Sequence, residues 1–186
     1  MGNKGGKELK PETISDLKKQ TAFTEEELQQ WYADFRHDCP KGNLTTEDFA
    51  VVYRRYFPSG DPTKFTDHVF RTFDTNRDGT ISFREFMCGI SVLARGSLDD
   101  KLRWIFQIYD LDGNGFISKL EMLEILQGMY KMMGEMCDSL PYDEATPQSK
   151  TEKIFRQVDR NFDGLLSLDE FLYAAKHDSA ITTVLQ

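Results

Sequence analysis

Cysteine is scarce in this 186-residue chain: Cys39, Cys88 and Cys137 are far apart and in no CxxC spacing. That excludes a disulfide framework or a zinc ribbon and fits a reducing cytosol. Histidine is equally sparse, and His37, His68 and His177 stand isolated. No paired His and Cys arrangement, nucleophile elbow, phosphate loop or HExxH motif is present, so no enzyme class is indicated. Long apolar runs are missing as well; none approaches the ~18 residues of a membrane span, and the first residues show no secretory h-region. The expectation is a cytoplasmic protein whose contact with membrane is peripheral. Basic residues are in deficit, 23 Lys and Arg against 31 Asp and Glu, which argues against nucleic acid as a partner and favours cations as ligands.

What is present is a repeat. DTNRDGTISFRE, DLDGNGFISKLE and DRNFDGLLSLDE, beginning at Asp74, Asp110 and Asp159, share Asp, polar, polar, Gly and Glu at fixed offsets. Apolar runs near 3.6-residue spacing precede and follow each, which predicts helix, loop, helix three times over. One repeat before Asp74 lies HDCPKGNLTTED, starting at His37 and flanked by Trp31 and Phe35, then by Phe49, Val52, Tyr53 and Tyr56. The fold class is therefore expected to be all-α, with four helix-loop-helix units in two paired lobes and short β pairing between loops. The expected organisation is an arm over 1–22, an N-lobe over 23–94, a hinge over 95–97, a C-lobe over 98–178 and a tail over 179–186. The stretch through Pro141 and Pro147 is expected to be a mobile surface loop.

A 12-residue loop with oxygen donors at positions 1, 3, 5, 7, 9 and 12 around a Gly at position 6 suits Ca²⁺, a hard cation. The second unit offers Asp74, Asn76, Asp78, the Thr80 carbonyl, Ser82 through water and bidentate Glu85. The third offers Asp110, Asp112, Asn114, the Phe116 carbonyl, Ser118 and Glu121. The fourth offers Asp159, Asn161, Asp163, the Leu165 carbonyl, Ser167 and Glu170. Three such loops predict three Ca²⁺ sites with affinities of roughly 10⁻⁷ to 10⁻⁵ M, the sensor range. Ile81, Ile117 and Leu166 at position 8 are placed for a short strand that pairs neighbouring loops. The first loop has His37 for Asp, Cys39 and Lys41 for oxygen donors, a stiff Pro40, and a short Asp48 at position 12. No Ca²⁺ is expected there, and the unit is read as structural.

The residues FTEEELQQWY at 23 to 32, DCPKG at 38 to 42, HVFRTFDTN at 68 to 76, the opening MGNK and the three intact loops together resemble the neuronal calcium sensor family, recoverin-like EF-hand proteins. The intact fourth loop places the resemblance nearest the hippocalcin, neurocalcin, visinin-like and frequenin group. It implies a myristoyl group on Gly2, although Gly6 departs from the Ser or Thr of the modification pattern, with Lys4 and Lys7 beside it to attract anionic headgroups. It also implies membrane-surface binding through that lipid, and a Ca²⁺-exposed N-lobe groove that takes an amphipathic target helix. The stripe expected to form that groove is Trp31, Phe35, Phe49, Val52, Tyr53, Tyr56, Phe86 and Ile90, although such stripes also pack cores. The apolar tail around Val184 and Leu185 is a candidate competitor for it. A calcineurin-B-like regulatory subunit and a passive Ca²⁺ buffer remain alternative readings.

Overall fold

The computed structural model describes residues 8–177; Gly2, Lys4, Gly6, Lys7, Val184 and Leu185 lie outside them. The described chain is mostly helical, in agreement with the expected all-α class. Helices α1 (Pro11–Gln20), α2 (Glu25–Asp38), α3 (Thr46–Tyr56), α4 (Thr63–Phe73) and α5 (Phe83–Arg95) form the first half. Helices α6 (Leu98–Tyr109), α7 (Lys119–Met133), α8 (Pro147–Val158) and α9 (Leu168–His177) form the second. Between them lie the two-residue strands β1 (Asn43–Leu44) and β2 (Ile81–Ser82), and the three-residue strands β3 (Phe116–Ser118) and β4 (Leu165–Ser167).

Capping boxes set most of the helix starts. Thr24 with Glu27, Thr45 with Asp48, Ser82 with Glu85, Ser97 with Asp100 and Ser118 with Glu121 exchange side-chain and backbone bonds at the N-termini of α2, α3, α5, α6 and α7. Each satisfies N–H groups that no helical carbonyl can reach. The strands pair antiparallel, β1 with β2 and β3 with β4. Ile81 faces Leu44 and Ile117 faces Leu166. Ile81, Ile117 and Leu166 are fully buried, so these pairs join each couple of loops at its centre.

The two apolar cores do not follow the expected lobe boundary. One gathers Leu9, Ile14, Leu17, Leu28 and Phe35 with Phe83 and Met87. The other unites Val69, Phe70 and Phe73 of α4 with Leu102, Phe106, Ile125, Phe155 and Phe171 of the second half. The connection between halves is short: Arg95 ends α5, Gly96 donates to the Val92 carbonyl (2.9 Å), and Ser97 caps α6. A Cβ on Gly96 would lie 2.4 Å from that carbonyl oxygen, which is why glycine stands there.

Two segments differ from expectation. The region taken as an arm contains α1, begun by Pro11 at its first turn and closed by Lys18 and Lys19. The segment around Pro141 is not a loose loop. It forms 3₁₀ turns over Gly134–Ser139 and Tyr142–Glu144, and Pro147 opens α8. Glu144 is held there by Lys150 and by Lys153 (2.7 Å), and its carbonyl accepts from the Tyr130 hydroxyl (2.5 Å).

Leu17 of α1 is completely buried against α2 and α5. Leu17→Ala is therefore expected to cost about 2–5 kcal/mol of unfolding free energy, measured by urea denaturation; a cost near zero would mean that α1 is not part of the core.

Candidate metal centres

Each of loops two, three and four is closed by its position-12 glutamate in the same way. Glu85 Oε2 accepts from the Ser82 N–H (3.0 Å) and hydroxyl (2.7 Å), while Oε1 reaches back to the N–H groups of Thr75 (3.1 Å) and Asn76 (3.2 Å). Glu121 does this with Ser118 and with Leu111 and Asp112. Glu170 does it with Ser167 and Arg160. One carboxylate thus caps the exiting helix and ties down the start of the loop. Burial pushes Glu85, Glu121 and Glu170 up, but their hydrogen bonds outweigh it, and all three sit below the ordinary carboxylate range.

The position-1 aspartates are held equally alike. Asp74 Oδ2 accepts from Gly79 N–H (2.9 Å), Asp110 Oδ2 from Gly115 (2.9 Å) and Asp159 Oδ2 from Gly164 (3.0 Å). That contact needs the backbone to turn at position 6, where Gly79, Gly115 and Gly164 have φ of +83°, +86° and +81°, a region open to glycine at no steric cost. Asn76, Asp112 and Asn161 at position 3 accept from the N–H of position 5 (2.8–3.0 Å). Arg77 and Phe162 at position 4 are left-handed without being glycine, at +58° and +59°, a feature the sequence did not signal.

The donor set in each loop consists of hard oxygens, and in loop three they converge. Ligand atoms of Asp110, Asp112 and Glu121 lie within 4.8 Å of one another. In loop four, Asp159 Oδ1 is buried without a hydrogen-bond partner, and a buried carboxylate oxygen in that position calls for a cation. The residues fit Ca²⁺: carboxylates at positions 1 and 12, side-chain oxygens at 3 and 5, and the carbonyls of Thr80, Phe116 and Leu165 at 7. The serine hydroxyls at position 9 donate to Glu85, Glu121 and Glu170 in this structure.

Loop one keeps the turn but differs in its residues. Gly42 has φ +91° and Thr45 with Asp48 still caps α3. Asp48, one methylene shorter than glutamate, accepts only from Thr45 among the described hydrogen bonds and does not reach the loop's start. His37 is exposed and turned to Asp38 (2.9 Å), and Cys39 is buried in the first core.

The residues expected to form a single groove differ in their surroundings, with Phe86 packed against both cores. Phe35 is buried, and Trp31 and Phe86 stack edge-on near it (6.0 Å). Phe49, Tyr53 and Ile90 line a cavity of about 620 Å³ whose other walls are Val69 and Phe73 of α4, Leu102, Trp104 and Ile108 of α6, and Met129 of α7. Val52 and Tyr56 point outward, Tyr56 being 75% exposed. The walls from α6 and α7 were absent from the sequence reading, because periodicity gives a helix's apolar face but not its neighbour. No helix among the described residues is long and apolar enough to cross a membrane.

Comparison with known proteins agrees with this geometry. An EF-hand domain pair matches residues 99–176, and a single EF hand domain matches 65–93. Neuronal calcium sensor 1 of Aplysia californica is 48% identical over the whole chain and 96% of its own length, and the Lymnaea stagnalis protein of that name is 45% identical with the same coverage. Human recoverin is 40% identical over the whole chain and 94% of its own length. The repeated loops, their pairing and these relatives together place the chain in the recoverin-like neuronal calcium sensor family of EF-hand, Ca²⁺-binding proteins.

Proposed function

We propose that this protein is a sensor that binds three Ca²⁺ ions, in loops two, three and four, and carries none in loop one. The observation that supports the count is the cross-loop bond from the position-12 glutamate, which Glu85, Glu121 and Glu170 make and Asp48 does not. When bound, Ca²⁺ supplies the positive charge at the point where the carboxylates converge. The chain's own part is to hold Asp74, Asp110 and Asp159 on backbone N–H groups so that their oxygens are already gathered. Binding to the native state in preference to the unfolded chain also stabilises the fold. A buffer would share this chemistry. The relatives named as calcium sensors and the large apolar cavity beside the loops favour signalling over storage.

The output of the sensor is an apolar surface that receives an amphipathic helix of a target protein. Its lining is Phe49, Tyr53 and Ile90 with Val69, Phe73, Trp104 and Ile108, and Trp31 and Phe86 extend it on the first core's side. Movement of α3 and α4 about loops one and two widens this cavity on metal binding. A myristoyl group on Gly2 brings the molecule to the membrane surface. A single acyl chain anchors only marginally, so binding there is reversible.

Calorimetric Ca²⁺ titration is expected to give three ions per chain, and two for each of Glu85→Gln, Glu121→Gln and Glu170→Gln, while Asp48→Asn leaves three. A fourth ion, or three retained by any of the glutamine variants, would sink the assignment. Tyr53→Ala is expected to weaken Ca²⁺-dependent binding of a model leucine-lysine amphipathic peptide about tenfold, roughly 1.4 kcal/mol, by fluorescence anisotropy. Tyr56→Ala, outside the cavity, is expected to leave it unchanged; equal effects of the two would remove the cavity as the binding surface. Co-expression with an N-myristoyltransferase is expected to add one myristoyl mass to the chain, and to add none to Gly2→Ala.

A further inference from the structure

Helix α6 has no basic residue in its last turn, whereas α2, α4 and α8 carry Arg36, Arg71 and Arg156 there. Its terminal carbonyls run straight into loop three, and a cation from another hand attends to them. Arg71 of α4 donates through Nη1 to the Leu111 carbonyl (2.5 Å). Its Nη2 lies 3.3 Å from the carbonyls of Gln107 and Ile108 and 3.4 Å from that of Asp110. Asp110 and Leu111 are positions 1 and 2 of loop three. Arg71 itself stands three residues before Asp74, position 1 of loop two.

The contact matters because of what surrounds it. The Leu111 N–H is turned to Glu121 (2.9 Å) instead of back along α6, so the Gln107 carbonyl is left without its helical donor. Arg71 fills that role and fixes the peptide whose other face serves the loop's closing glutamate. Strands join loop one to loop two and loop three to loop four; among the described residues none joins loop two to loop three. Helix α4 is pinned to the third hand at its other end too. There the Asp61 N–H donates to the Lys131 carbonyl (2.9 Å), and the Asp61 carboxylate pairs with Lys131 (2.9 Å). A Cβ on Gly60 would come within 1.8 Å of the Met132 oxygen. The helix therefore bears on the C-termini of both α6 and α7.

We propose that Arg71 is a positioning residue that couples loops two and three, so that an ion in one changes the affinity of the other. An ion drawing Asp74 inward moves the end of α4, the guanidinium moves with it, and the turn that presents Asp110 and Glu121 shifts accordingly. By linkage the effect runs equally in reverse. A planar fork with five donors can serve four carbonyls at once, which a lysine ammonium cannot. The inference rests on the reading that loops two and three both bind Ca²⁺.

The test uses the full chain carrying Glu170→Gln, so that loops two and three alone remain. Calorimetry measures the loop-three affinity with loop two intact and with loop two disabled by Glu85→Gln. With Arg71 present, disabling loop two is expected to shift loop-three affinity by about fivefold or more. With Arg71→Ala, and with the charge-conserving Arg71→Lys, the shift is expected to fall below about twofold. Mere destabilisation would weaken both sites without removing their dependence on each other, and Arg71→Lys keeps the charge should Arg71→Ala fail to fold. Emission of Trp104, which packs on Phe73 across this seam at 5.4 Å, follows the same titrations when Trp31 is replaced by Phe. Two ions bound, with the shift either absent from the parent or unchanged in both Arg71 variants, overturns the role of Arg71 alone. Fewer than two ions in the parent overturns that role and the three-site reading together.

Discussion

A 12-residue loop that gathers acidic side chains repels itself, and something must hold it shut. Here the position-12 glutamate does so from a fixed base, because Glu85, Glu121 and Glu170 are each anchored in the first turn of the exiting helix by the serine three residues earlier. From that anchor one oxygen reaches the N–H groups at the loop's start. The exiting helix, its cap and the metal-facing turn are thus one hydrogen-bonded unit. Loop one shows how narrow the requirement is. Asp48 keeps the cap with Thr45 and, lacking a methylene, loses the span.

Loop one nevertheless keeps Leu44 opposite Ile81 and Asn43 opposite Ser82, and Cys39 sits in the first core. It serves loop two as a packed partner, its shape held by these contacts. The carboxylates Asp38 and Asp48 raise the Cys39 thiol further after burial has already done so, which keeps that sulfur in its neutral, packed form.

The four loops and the helices around them are legible in the sequence because their constraints are local. Ligand type, glycine at the turn and cap chemistry are all written within twelve residues, and hydrophobic periodicity marks the flanks. What could not be read was which helix face meets which. Phe49 and Tyr53 stand four residues apart on one apolar stripe, but their partners Trp104 and Met129 lie more than fifty residues away. The placement of α4 in the second core is of the same kind. Helix α1 was legible and overlooked: Pro11 at its start, Lys18 and Lys19 at its end, and Ile14 with Leu17 three residues apart are ordinary helix signals hidden in a polar segment.

The asymmetry of the two halves follows from these contacts. Loops three and four share a three-residue ladder, so on the proposed three-site reading an ion in one meets a liganding neighbour across Ile117 and Leu166. Loop two is bridged by a two-residue ladder to loop one, whose Asp48 does not reach the start of its own loop. On the same reading, the packed route from loop two to the third hand runs through the body of α4. That helix meets the third hand at Arg71 near its end and, through Asp61 just before its start, at Lys131, and it forms one wall of the apolar cavity through Val69 and Phe73. One helix thus touches loop two, the third hand and the apolar cavity, so a displacement at the start of loop two bears on all three.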